Sequence, residues 1–251
     1  MAPSKARPTR SQLLFLADLA GEAGRHEDVI KQIKLIIELF DAQLTIDERN
    51  LLSIAYKNIT NVLRNSWRTV DNIEKSQSSR QAMMPKQHIL TRRQRQRIER
   101  ELTNTCKDIV LLLDRQLLPA AKQGEEAVFY SKMKGDYYRY LAEFSQKKDR
   151  DRFADLSLNA YKLAYKHALT TLHPIHPTRL GLALNFAVFY HDVKKSPDRA
   201  CHLAKSAFDD AILSLDSSDP TLDPVLRDSL TILQILRDDL ILWSAEMQNT
   251  N

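Results

Sequence analysis

Glycine is scarce in this chain, at five in 251 residues where roughly 7% is usual, and alternating runs of Val, Ile and Thr are equally rare. A sheet-based fold therefore has little to start from. Cysteine is scarcer still. Cys106 and Cys201 lie far apart among apolar neighbours, which rules out a disulfide framework or paired metal-ligand spacing and points to a reducing compartment. No stretch reaches the roughly 18 apolar residues of a membrane span. The segment 1–12 is polar, basic and proline-containing, without the apolar run of a secretory signal. A cytoplasmic chain with access to the nucleus is the expectation by elimination. Also missing are a glycine-rich phosphate loop, a Gly-x-Ser-x-Gly elbow and any metal-spaced His and carboxylate cluster, so no catalysis, no cofactor and no metal are expected. His173 and His176 fall in a proline turn and read as loop residues.

What is present is a hydrophobic content of 43%, enough over this length to bury a sizeable core. The net charge of +5 and pI near 9.1 suit an anionic partner, whether nucleic acid, an acidic membrane or phosphorylated protein. Apolar residues recur at three- and four-residue spacing almost from end to end, which makes the chain all-α. Nine helices are expected, near 11–23, 26–40, 46–74, 91–118, 125–146, 150–172, 178–194, 197–215 and 223–247. Thr45 followed by Glu48 predicts a capping box at the start of the third. The Ser, Gln, Met and Pro content of 75–90 reads as a loop. Pro119 is expected to end the fourth helix, and Pro197 suits the first turn of the eighth. No 34-residue repeat is visible, which argues against a tetratricopeptide scaffold.

Two cationic pairs share one spacing. Lys57 and Arg64 are seven residues apart, as are Lys132 and Arg139, so each pair emerges from one helix face, with Tyr140 beside Arg139. Two such stripes suit one anion, while any single Lys or Arg taken alone reads first as a solvated surface charge.

Long runs carry more information than these pairs. Glu48-Arg49-Asn50-Leu51-Leu52-Ser53-Ile54-Ala55-Tyr56-Lys57-Asn58 with Ser66-Trp67-Arg68, and Lys132-Met133-Lys134-Gly135-Asp136-Tyr137-Tyr138-Arg139-Tyr140-Leu141-Ala142-Glu143, resemble the third and fifth helices of the 14-3-3 family. His176-Pro177-Thr178-Arg179-Leu180-Gly181-Leu182-Ala183-Leu184-Asn185-Phe186 is similar to its seventh helix. Ser196-Pro197-Asp198-Arg199-Ala200-Cys201 and Leu236-Arg237-Asp238-Asp239-Leu240-Ile241-Leu242-Trp243 resemble the eighth and ninth. The family is a known example of phospho-motif recognition by arginine clusters.

The resemblance implies one 14-3-3-like helical domain over 1–251, with nine antiparallel helices, a cup-shaped dimer and an amphipathic groove in each protomer. It makes the protein an adaptor that binds phosphoserine or phosphothreonine segments of client proteins in signalling. Lys57, Arg64 and Arg139 would bind the phosphate and Tyr140 would donate its hydroxyl. Lys132, Leu184, Asn185, Val188, Asp192, Ile232, Ile235, Asp239 and Leu242 would hold the peptide, with Trp243 at one end as a support. The groove would draw on 46–74, 125–146, 178–194 and 223–247. Dimerisation would use about 11–101, through Leu16, Leu19 and Ala23 and the charged Arg25, Asp28, Arg97 and Glu101. A homodimer is implied, and heterodimers with sister isoforms are allowed. Ser66 stands where phosphorylation would insert negative charge into that interface.

The chain departs from the family pattern in three ways. It is basic, and it stops at Gln248-Asn249-Thr250-Asn251 without the usual acidic tail. Asp239 stands where the family has a peptide-binding asparagine, and Thr231 where it has a groove leucine. The positive excess concentrates in 75–100, where Arg92, Arg93, Arg95, Arg97 and Arg100 are opposed by little besides Glu99. That segment is read first as a solvated face and second as a nucleic-acid or membrane contact. The alternatives to the adaptor are a helical scaffold for unmodified peptides and a basic nucleic-acid-binding protein.

Overall fold

Thr9 opens the first helix by a reciprocal exchange, its hydroxyl accepting from the Gln12 N–H while the Gln12 side chain accepts from its own. From there the computed structural model describes residues 7–78, 85–215 and 224–250, and every regular element among them is helical. In chain order these are α1 (Arg10–Glu22), α2 (His26–Leu39), α3 (Ile46–Ser78), α4 (Pro85–Leu112), α5 (Glu125–Phe144), α6 (Lys147–Thr171), α7 (Pro177–Asp192), α8 (Pro197–Leu215) and α9 (Pro224–Thr250). A π turn at Leu113–Leu117 and a last turn at Leu118–Ala120 extend α4.

The Thr45–Glu48 capping box forms as the spacing predicts, at 2.8 and 3.3 Å. Glu48 also receives the Arg10 guanidinium at 2.6 Å, which ties α3 to α1. His176 is a cap as well as a turn residue, its Nδ1 accepting from the Thr178 N–H at 3.1 Å, and Pro177 takes the first helical position.

The largest departures from expectation lie at 75–90 and at Pro119. The proposed loop at 75–90 shrinks at both ends: α3 runs on to Ser78 and α4 begins at Pro85 rather than 91, with 79–84 outside the described residues. Lys75 bonds Asp71 one turn back at 2.6 Å, and Arg95 reaches across to Glu74, so charge pairing carries both helices through a polar composition. Pro119 lies inside the closing turn, not after it, because the wider π turn precedes it; a proline ring would otherwise press on the carbonyl four residues earlier. The expected start of the last helix at Asp223 lies outside the described residues.

The chain divides into two compact units, one ending at Ala120 and the other beginning at Ala121. In the first, α1 packs on α2, α2 on α3 and α3 along α4, around Leu13, Ile33, Ile36, Leu52, Tyr56, Leu102 and Ile109. Tyr56 donates to Asp108, which also receives Lys34. In the second, α5 and α6 form the closest pair, and α7, α8 and α9 pack on one another. Alanines supply much of this approach: Ala154, Ala160, Ala164 and Ala168 on α6, and Ala200, Ala204, Ala207 and Ala211 on α8, are all buried. Each buried Leu, Ile or Phe contributes about 1.5–3 kcal/mol, against about 0–1 for an exposed ion pair. The apolar seams therefore hold each unit together internally, and the ion pairs adjust the helix ends.

Candidate functional site

Asp136 is the hub of the second unit. Its Oδ2 accepts from Lys132 Nζ at 2.9 Å, and its Oδ1 accepts from the Tyr161 hydroxyl at 2.5 Å and from Asn185 Nδ2 at 2.8 Å. Arg139 completes the ring, its Nε donating to Tyr161 Oη at 3.2 Å and its guanidinium standing 3.8 Å from Asp136. The guanidinium also lies 4.9 Å over the Tyr140 ring. Helix spacing makes this possible, since Lys132, Asp136 and Arg139 fall at i, i+4 and i+7 on one face of α5.

Burial opposes ionisation of Asp136, yet the Lys132 and Arg139 charges and the Tyr161 hydroxyl hold its carboxyl below the ordinary range. Burial likewise works against the Arg139 charge, and Tyr161, Tyr140 and Asp136 outweigh it, so the guanidinium is held firmly protonated. The Tyr161 hydroxyl is pushed up, first by burial and then by Asp136, and stays a donor. The outcome is a pair of cations fixed by a buried anion, with side-chain exposures of 12% for Arg139 and 23% for Lys132. A second, incoming anion would meet donors already oriented.

The close approach of α5 and α6 depends on Gly135. A Cβ there would lie 2.7 Å from Tyr161 Cδ1, and the Gly135 carbonyl accepts from the buried Ser157 hydroxyl at 2.9 Å. Phe186 stacks on the Tyr161 ring at 5.3 Å, so the ring has nowhere to retreat. We predict that Gly135→Ala lowers stability by about 1–3 kcal/mol through overpacking, read as a shift in the urea midpoint. An unmoved midpoint would contradict this account of the seam.

In the first unit, Lys57 and Arg64 share a face of α3, Lys57 exposed and Arg64 half-buried. Thr60 between them is buried and bonds back to the Tyr56 and Lys57 carbonyls.

Of the expected peptide-binding residues, Leu184, Val188 and Ile232 are half-buried at the margin of the core, while Ile235 and Leu242 are exposed on α9. A Cβ at Gly181 would stand 3.8 Å from Lys132 Cε and 3.9 Å from Ile232 Cδ1, so α5, α7 and α9 meet there with a polar stem on one side and an apolar one on the other. Thr231 is exposed, its hydroxyl bonded to the Arg227 carbonyl. Trp243 is 4% exposed, sits in the core with Leu236, and stacks on His191 at 5.0 Å. His191 bonds Asp192 at 2.8 Å and Glu246 at 2.9 Å, joining α7 to α9. Burial and then Asp192 raise the Asp239 carboxyl above the ordinary range.

The charged residues expected to face a partner protomer are paired within the chain: Arg25 with Asp28 at 2.5 Å and Arg97 with Glu101 at 2.9 Å. The basic segment also has more opposing charge than its own sequence suggested. Arg95 engages Glu74 on α3 and Glu99, and Asp71 stands 3.9 Å away. Arg92, Arg93 and Arg100 are exposed.

Sequence reasoning missed the anion that organises the site. Asp136 carried its signal in the i, i+4 spacing from Lys132. Tyr161 carried none, because its role depends on the packing of α6 against α5. Among the described residues no group of His, Cys, Asp or Glu is placed to hold a metal, and no helix is long and apolar enough to cross a membrane.

The profile of the 14-3-3 protein family matches residues 16–244. The chain is 50% identical over 232 residues to the 14-3-3 family protein artA of Aspergillus flavus, covering 92% of this chain and 95% of that one. It is 46% identical over 247 residues to 14-3-3 protein 9 of Solanum lycopersicum, covering 98% and 91%. Over 242 residues it is 47% identical to protein BMH2 of Saccharomyces cerevisiae, covering 96% and 87%.

Proposed function

Because this chain belongs to the 14-3-3 family of non-enzymatic adaptors, we propose that it binds phosphoserine and phosphothreonine segments of client proteins. In this reading Lys57, Arg64, Arg139 and Tyr140 are the phosphate-binding residues. The observation that carries the reading is Arg139, held charged and oriented by Tyr161 and Asp136. A phosphoserine brings about −1.5 to −2 charge and three acceptor oxygens. A neutral serine offers the clustered cations nothing comparable. Asn185, fixed by Asp136, would hold the peptide backbone, and Leu184, Val188, Ile232, Ile235 and Leu242 would take its apolar side chains.

The test is one titration series: a fluorescent Arg-rich phosphoserine peptide, its unphosphorylated twin and a duplex oligonucleotide. Binding of the phosphorylated form alone is expected. Equal affinity for the two peptides would remove the adaptor reading in favour of a scaffold for unmodified segments, and preference for the duplex would favour the basic face of α4.

Asp239 tunes this groove. An ionised carboxylate only accepts hydrogen bonds, whereas the asparagine of the family pattern also donates. Asp192 lies near enough to raise its carboxyl further. Asp239→Asn is expected to tighten phosphopeptide binding by about 1–2 kcal/mol; identical affinities would show that the position does not meet the peptide.

Dimerisation belongs to the same proposal. On α1, Leu16 and Leu19 are 44% and 56% exposed. A recess of about 600 Å³ between α2, α3 and α4 is lined by Ile30, Ile59, Val62 and Leu63. The α1 side chains of one copy would enter the recess of a second, while the Arg25–Asp28 and Arg97–Glu101 pairs exchange partners at little net gain. Ser66 follows Val62 and Leu63 on one stripe of α3. Ser66→Glu is expected to shift sedimentation towards monomer, and an unchanged dimer constant would count against this interface. A cytoplasmic site of action, with access to the nucleus, completes the reading.

A further inference from the structure

The second unit holds a cavity that the proposed groove does not use. It opens between α6, α7 and α8, with a volume of about 480 Å³, inside the roughly 300–1,000 Å³ range of small-molecule sites. Its floor is aromatic. Phe186, 4% exposed, stacks on Tyr190 at 4.8 Å with 28° between the planes, and Tyr165 meets Phe186 edge-on at 6.1 Å. The rim carries the exposed cations Lys162 and Arg199, with the exposed His202 beside them. Among the described residues no carboxylate lies within ion-pair distance of these three. Asp198 is the one acid in the lining.

The helical register separates this cavity from the groove residues. Phe186 and Tyr190 are one turn apart on a face of α7, and Leu184 and Val188 lie on the face turned roughly 200° away. A peptide held against Leu184, Asn185 and Val188 therefore leaves Phe186 and Tyr190 untouched.

We propose that this cavity is a second binding site, taking a small planar aromatic anion with one negative charge. Aromatic floors favour a flat ring, which gains edge and offset-stacking contacts that an aliphatic chain does not. Arg199 already stands over the Tyr190 ring, 6.0 Å from its centroid, and covers a guest ring in the same way. Lys162 and Arg199 receive the anionic group from two sides, and the cations outnumber the acid, which turns a cationic guest away. Asp198 on the same rim penalises a second negative charge, so the site prefers a monoanion. The proposal does not rest on phosphopeptide binding.

Naphthoate and its neutral isostere naphthamide test it, titrated by calorimetry into the full chain with and without a saturating phosphoserine peptide. One naphthoate per chain is expected, unaffected by the peptide, with naphthamide weaker by about tenfold. Lys162→Glu with Arg199→Glu, both at exposed positions, is expected to weaken naphthoate by at least about tenfold and to leave the helical circular dichroism unchanged. His202→Glu, tested alone, lowers affinity in the same direction. Displacement by the peptide would put the probe in the groove and overturn the proposal. Failure to saturate, equal binding of naphthamide, or indifference to the charge reversals in a folded protein would overturn it as well.

Discussion

Arg139→Ala is expected to weaken phosphopeptide binding by about 3–4 kcal/mol, two to three powers of ten, because it removes a bidentate, charge-assisted donor. Arg64→Ala should fall in the same range for the same chemical reason. Arg139→Lys separates charge from geometry: the ammonium keeps the cation but lacks the planar fork that bonds Tyr161 through Nε while leaving parallel N–H groups for phosphate. An intermediate loss is expected for it. Fluorescence anisotropy with the phosphoserine peptide measures all three, beside circular dichroism as a control on helicity. Wild-type affinity in a folded Arg139→Ala protein would remove the proposed phosphate site.

The second large effect falls on stability. Asp136→Ala leaves Lys132 and Arg139 without their buried counter-charge, and Tyr161 and Asn185 without their shared acceptor. The expected cost is about 3–5 kcal/mol, the scale of breaking a buried ion pair from one side. Asp136→Asn keeps an oxygen for the hydroxyl but not the charge, and should lie between. The pH dependence has a definite sign. The folded-state carboxyl titrates below its ordinary value of 3.8, so its contribution is fully present above that pH and is lost as pH falls through the lowered value. Wild-type urea midpoints should therefore drop below about pH 4 more steeply than those of Asp136→Asn. Parallel profiles would show that Asp136 is not the group responsible.

Among the described residues apolar periodicity places each helix to within a few residues except the start of α4, because an amphipathic stripe and the packing that buries it are one fact seen twice. Thr45–Glu48 was legible for the same kind of reason, since a capping box is local. The errors came where distant partners decide. Nothing within 75–90 says that Arg95 will reach Glu74, so its polar composition read as loop. The π turn at Leu113–Leu117 has no sequence signature beyond the proline that follows it. The site was half legible. Cations at seven-residue spacing stand out on a helix wheel, and the resemblance named Asn185. The acid that binds them was hidden in plain spacing, and Tyr161 contributes through an α5–α6 contact that only Gly135 permits.

The ring formed by Lys132, Asp136, Tyr161 and Arg139 is closed entirely by contacts within the second unit. A free arginine at a surface loses about 1.5–2 kcal/mol of rotamer freedom when it is immobilised. Here that ordering takes place as the second unit folds, so a bound anion does not have to freeze the guanidinium again. The same economy makes the site brittle: a substitution that loosens the fold around Tyr161 should cost affinity even where no ligand atom is touched.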